Sequence, residues 1–231
     1  MIMQYIYIVI LCITSYLLGS IPSGLILGKI FRNIDIREHG SGNTGASNAL
    51  RVLGAKLGFF TFVFDFLKGM AVMLFLWAFR LEQFYRLGAF NTEILYGALA
   101  VVGHAFPIYL NFKGGKAAAT TAGVIFFIEP IVFLACILTF TLTFLKNRIV
   151  SIASLTTAGV CLLLMISRQL LYSLFPDFLF FGFTDKSLQT YALEALVIVI
   201  LVLIILIRHI SNLKKLGEGL ELPFRKKKKN R

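Results

Sequence analysis

Three polar blocks, each mixing small residues with cations or imidazole, interrupt an apolar sequence. The first is Gly40-Ser41-Gly42-Asn43-Thr44-Gly45-Ala46-Ser47-Asn48-Ala49-Leu50-Arg51. Its glycines let backbone N–H groups approach an anion, its hydroxyls and amides add donors, and Arg51 adds a planar cation. Ser47 or Asn48 is expected to cap the helix that follows, whose amino end favours negative charge. The second block runs from Gly103 and His104 to Lys113-Gly114-Gly115-Lys116. Two glycines between two lysines suit close backbone approach to a phosphate. The third contains Arg208-His209-Ile210-Ser211-Asn212 and ends Gly217-Glu218-Gly219-Leu220-Glu221. His209 and Asn212 are three apart and share a face on a helix. Ser151, after Lys146-Asn147-Arg148, is positioned to face the same cavity. Together these residue types suit the handling of a phosphorylated ligand.

Two common phosphate signatures are excluded. Gly40, Gly42 and Gly45 formally match the dinucleotide-binding loop, which requires a preceding strand in a βαβ unit. Here the loop follows an apolar helix and Asp35-Ile36-Arg37-Glu38-His39. A P-loop needs Ser or Thr after its Gly-Lys and a glycine five residues before the second glycine. Ala117 and Leu110 occupy those positions. His39, His104 and His209 are far apart, and Cys12, Cys136 and Cys161 lie in apolar runs. The histidines suggest no metal site, and the cysteines read as lipid- or core-facing. No metal and no cofactor is expected. Asp65 and Lys68 stand at (i, i+3) inside an apolar run. A charge at the bilayer centre costs about 2.5–3.5 kcal/mol, so the two are expected to pair.

The elements that must position these blocks are membrane helices. Of 231 residues, 58% are apolar and 15% charged, against about 25% charged in an ordinary soluble domain. The reading is an all-α polytopic membrane bundle, a single domain over 1–231 with a basic tail at 222–231. Apolar runs predict seven spans: 2–29, 57–79, 94–110, 117–128, 131–145, 149–166 and 191–207. A six-span alternative fuses the fourth and fifth, with Pro130 as a kink. Gly19, Ser20, Gly24 and Gly28 fit close helix packing. The first apolar run continues to Ile30 and is too long for a cleaved signal.

Lys and Arg number 23 against 11 Asp and Glu, a net charge of +12. In a soluble chain that excess would suggest nucleic acid, but in a membrane protein it marks cytoplasmic loops and anionic head groups. No nucleic-acid partner is expected. Placing the amino terminus outside and the carboxyl terminus inside puts most cations on the inner side with all three blocks. Arg80, Arg86, Arg168 and Lys186 fall outside. The outer loop 167–190, with Phe175, Phe178, Phe180, Phe181 and Phe183, reads as an interfacial aromatic belt.

The blocks, taken in order, resemble the bacterial acyl-phosphate:glycerol-3-phosphate acyltransferase family. The resemblance also covers Gly-Ser-Ile-Pro-Ser-Gly at 19–24 and Phe-Asp-Phe-Leu-Lys-Gly-Met at 64–70. It implies a seven-span bacterial inner-membrane enzyme with its active site facing the cytoplasm. The implied reaction transfers a fatty acyl group from acyl phosphate to glycerol 3-phosphate and yields lysophosphatidic acid. Coupling to the enzyme that makes acyl phosphate and to the next acyltransferase is implied as well. Carried over by position, Ser41, Gly42, Asn43 and Ser47 resemble part of the phosphate cavity. Arg51 and Lys116 resemble cations on the substrate phosphates, and Ser151, His209 and Asn212 the remaining polar wall. His104, Lys113, Gly114 and Gly115 join them as binding residues. Ala117-Ala118-Ala119-Thr120 stands where the family usually has Gly-Val-Ala-Thr, and Lys215 stands where arginine is usual.

The residue types agree with that chemistry. Acyl phosphate is already activated, so no covalent enzyme intermediate is required. His39, His104 and His209 are followed five residues later by Thr44, Tyr109 and Lys214, so the His-x-x-x-x-Asp pair of CoA-dependent acyltransferases is missing. The reaction needs placement of two phosphates and a hydroxyl, with charge stabilisation. Either a substrate phosphate or His209 takes the hydroxyl proton. A transporter for a phosphorylated solute would also want inner-facing cations, but no inverted repeat is detectable.

Overall fold

The computed structural model describes residues 2–87, 90–174 and 187–221. The chain opens with α1 (Ile2–Ser20) and α2 (Ser23–Arg32). The single span expected over 2–29 is therefore two helices. Pro22 has no N–H to donate, and the residue before a proline is pushed out of the helical region. Asn33, left-handed at φ 53°, closes α2. Asp35 then caps a short 3-10 turn (Ile36–Glu38) by accepting from the Arg37 amide at 3.0 Å. The Arg37 guanidinium, 2.6 Å away, holds the Asp35 carboxyl down at about 2.

Helix α3 (Ala46–Leu53) begins at Gly45 with no side-chain cap, so neither Ser47 nor Asn48 plays the capping role expected. Both lie inside its first turn. Gly54, at φ 91°, turns the chain into α4 (Ala55–Ala78). Ile36, Ala49, Leu53 and Leu57 form a small buried cluster that fixes the glycine-rich loop against these helices. A two-residue hairpin, β1 (Arg86–Leu87) antiparallel to β2 (Phe90–Asn91), leads into α5 (Glu93–Ala105).

Next come α6 (Ala118–Ile128) and α7 (Pro130–Asn147), separate helices and not one kinked span. Glu129 leaves the helical region between them, and Pro130 occupies the first turn of α7, where its missing N–H has no cost. Finally α8 (Val150–Leu174) and α9 (Leu188–Gly217) run longer than their apolar cores suggest. Residues 167–174 and 188–190 are thus helical, and the phenylalanines at 175–183 lie outside the described residues, as does the basic tail.

Among the described residues, six helices are long and apolar enough to cross a membrane, and α6 is a shorter apolar helix of 11 residues. Close approaches replace the hydrophobic drive that helices lack in lipid. A Cβ on Gly19 of α1 would fall on the backbone of Ala100 in α5, and one on Gly123 of α6 would fall on Phe66 O in α4. Met73, Val101, Val124, Ile198 and Leu201 fill the main core. Large apolar side chains such as Leu134, Leu138 and Leu142 on α7 are exposed, as lipid-facing residues must be.

Candidate active site

The glycine-rich loop is held by one buried amide. Asn48 Oδ1 accepts from the Ser41 amide at 2.8 Å, and its Nδ2 donates to Ile36 O at 2.8 Å and His39 O at 3.1 Å. Asn43 Oδ1 accepts from the Gly45 amide at 2.9 Å. This knot aims Ser41, Asn43, Ser47 and Arg51 into a common cavity, while Gly42 (φ 70°) makes the turn behind them.

The second block forms the opposite lip. The Gly115 amide donates to His104 O at 3.0 Å, and a Cβ on Gly115 would fall on the His104 ring, so only glycine fits. Arg208 of α9 clamps the same turn, with Nε donating to Gly115 O at 3.0 Å and a terminal nitrogen to Gly114 O at 2.5 Å. Gly114 and Gly115 are buried supports and not lining. Lys113 is exposed and lies away from the cavity lining. His104 reaches the lining from behind, with Nδ1 3.5 Å from Asp65 Oδ1. Lys68 pairs with the same oxygen at 2.9 Å, as expected, and donates to Ile21 O at 2.9 Å.

Lys116 is the cation that turns inward. It donates to Asn212 Oδ1 of α9. Asn212 Nδ2 donates to Ser151 Oγ at 2.8 Å and to Glu221 Oε1 at 2.7 Å, and Ser151 in turn donates to Glu221. Four residues from four parts of the chain thus form one connected network. Burial pushes the Lys116 ammonium down to about 8, Glu221 opposes the shift, and Arg51, Lys215 and Arg208 add to it. His209 Nδ1 lies 2.8 Å from Ile205 O. A carbonyl only accepts, so Nδ1 carries the proton and Nε2 is the basic nitrogen.

The cavity has a volume of about 320 Å³. One end carries Ser41, Asn43, Arg51, Lys116, His209 and Asn212. It continues between α4, α6, α7, α8 and α9 into a wall that includes Ile125, Phe133, Cys161, Ile198 and Val202. Of the residues expected from the sequence, Ser41, Asn43, Ser47, Arg51, His104, Lys116, Ser151, His209 and Asn212 line it. Glu221 and Arg208 have no role assigned from sequence, and Asn48 is expected only as a helix cap. Glu221 and Arg208 meet partners 70 and 93 residues away, and Asn48 meets Ser41, seven residues back in the loop. The one signal was their place within the three blocks. Among the described residues no group of three His, Cys, Asp or Glu side chains could hold a metal ion.

A helical membrane bundle whose cationic, donor-lined recess continues into an apolar cavity defines an integral membrane protein with a polar site set among its helices. The chain belongs to the glycerol-3-phosphate acyltransferase family, whose model matches residues 9–219. It is 40% identical over 222 residues to the glycerol-3-phosphate acyltransferase of Macrococcus caseolyticus, covering 96% of this chain and 99% of that one. A Streptococcus pneumoniae glycerol-3-phosphate acyltransferase is 40% identical over 208 residues, covering 90% and 89%. The structure is similar to the crystal structure of an integral membrane glycerol 3-phosphate acyltransferase in its glycerol 3-phosphate form. There the TM-score is 0.76 at 31% identity, over 95% of this chain and 96% of that one. The lysophosphatidic acid form of the same enzyme aligns with a TM-score of 0.75.

Proposed function

We propose that this acyltransferase uses acyl phosphate as donor and acylates the hydroxyl at position 1 of glycerol 3-phosphate, releasing lysophosphatidic acid and inorganic phosphate. One observation carries the reading: Arg51, Lys116, Ser41, Asn43 and Asn212 face one recess that runs directly into an apolar channel. The two cations hold phosphates, and the channel takes the acyl chain. The glycerol oxygen attacks the acyl carbonyl carbon, the bond from that carbon to the phosphate oxygen breaks, and phosphate leaves with the electron pair. The hydroxyl proton passes to a substrate phosphate oxygen, with His209 Nε2 as the second acceptor. Transfer is direct, without an acyl-enzyme.

The protein is proposed to sit in the bacterial inner membrane, amino terminus outside and carboxyl terminus inside, with the recess facing the cytoplasm. It would draw its donor from an acyl-phosphate-forming enzyme and pass its product to a second acyltransferase. Purified protein incubated with acyl phosphate and labelled glycerol 3-phosphate should form labelled lysophosphatidic acid. Product formed as fast from acyl-CoA, with acyl phosphate excluded, would reject the donor.

A further inference from the structure

The apolar channel has a blind end. Along α9 the lining residues Asn212, His209, Ile205, Val202 and Ile198 recur every three or four positions and form one stripe. From His209 to Ile198 is a rise of about 16 Å. Along α8 the lining runs from Ser151 to Cys161, a rise of about 15 Å. At the far end Ile198 is 0% exposed and Cys161 6%. Phe133, one turn beyond Cys136 on α7, lines this end as well and packs its ring against Phe66 and Phe126. Val132 and Met165 are buried in the core and are not part of the lining. Away from that end the wall is different: Phe62 on α4 is 40% exposed.

We infer that Phe133, Cys161 and Ile198 form the stop against which the methyl end of the acyl chain rests, so that this trio sets the chain length of the donor. The inference rests on the reading of the channel as an acyl site. The depth supports it. A bilayer hydrocarbon core of about 30 Å gives one leaflet's chain about 15 Å, which matches the rise from the polar network to the stop. The chemistry of the trio also fits, because all three side chains are apolar or weakly polar and none needs water.

The test is a kcat/KM series with saturated acyl phosphates from medium to long chain, on the wild-type protein and on variants. Each buried methylene is worth about fourfold. Cys161→Phe fills the blind end by roughly three methylenes' volume and should cost the longest donors about 50-fold, while medium-chain donors keep near wild-type rates. Ile198→Ala deepens the channel and should move the optimum to longer chains. The medium-chain rate reports that each variant is folded. An unchanged optimum in Ile198→Ala, or an equal loss at every length in Cys161→Phe, overturns the stop. Failure of the wild-type protein to use acyl phosphate of any length would instead reject the donor.

Discussion

Asp65 Oδ1 lies 2.9 Å from Lys68 Nζ and 3.5 Å from His104 Nδ1, so one carboxylate inside the bundle serves two partners. Asp65 is 2% exposed, and His104 carries the Gly115 amide on its carbonyl. Removing one member of a buried pair leaves the other charge uncompensated, at a cost of about 3–5 kcal/mol. Asp65→Asn should therefore lower stability by about that much in detergent. Asp65→Asn combined with Lys68→Met should recover most of the stability but not the activity, because His104 would still lack its anchor. Full recovery of both, by thermal unfolding and rate assay, would reduce the cluster to a structural pair.

The two inward cations carry the second prediction. Arg binds phosphate with a planar fork and Lys with a point charge. Arg51→Lys should lose activity while the protein still inserts, and Lys116→Ala should lose more. A lost charged hydrogen bond of about 2–3 kcal/mol corresponds to roughly a 30- to 150-fold drop in kcat/KM. Lys226→Ala, in the tail, should lose little. Near-full activity in both cavity variants would move the phosphate site elsewhere.

A pH profile follows from Lys116. Its ammonium is held down at about 8 chiefly by burial, so phosphate binding should weaken as pH rises through that value. Glu221 raises this pKa. Glu221→Gln should therefore move the alkaline limb of kcat/KM to lower pH, since that limb reports the free enzyme. A limb that stays in place, or moves up, would break the link between the two residues.

Ala117 sits at φ 65°, a left-handed conformation that costs a residue with a Cβ about 1–2 kcal/mol. Ala117→Gly should relieve part of that, raising stability by up to about 1 kcal/mol. Unfolding measured in detergent decides the sign, and a destabilised variant would show that the Ala117 methyl, itself 1% exposed, contributes more by packing than it costs in strain.

Topology gives a fifth prediction. In a background without Cys12, Cys136 and Cys161, single cysteines at Glu82 and Gly219 should label from opposite sides. A membrane-impermeant reagent on intact cells should reach position 82 and not 219. The reverse pattern would invert the bundle.

Most spans were legible because apolar runs bounded by charge are a direct record of the bilayer. The errors share one cause. Residues 2–29 read as one span because hydrophobicity continues past Pro22, although backbone geometry does not. The last apolar span reads as ending at 207, where Arg208, Lys214 and Lys215 leave the lipid, and helix α9 runs on to Gly217 because leaving the lipid does not end a helix. The site was legible wherever a residue type announces its chemistry, as with Arg51, Lys116 and His209. It was not legible where tertiary packing assigns the role. Asn48 resembled a helix cap and instead ties the loop, and Glu221 became a partner of Ser151 only because α8 and α9 meet there.

The shortness of α6 has a mechanical consequence. Eleven residues rise about 16 Å, so Glu129, at its end, lies only about half a hydrocarbon core from the cavity lip. With the recess at the inner surface, as proposed, the ion pair that Glu129 makes with Arg168 of α8 falls within the hydrocarbon region and not at its surface. Such a bundle is subject to hydrophobic mismatch. A thinner bilayer brings head-group water toward the pair and eases its desolvation, while a thicker one draws lipid tails over it. The α6–α7 hairpin, which also walls the channel, would then make the lipid composition of the host membrane a mechanical input to the site.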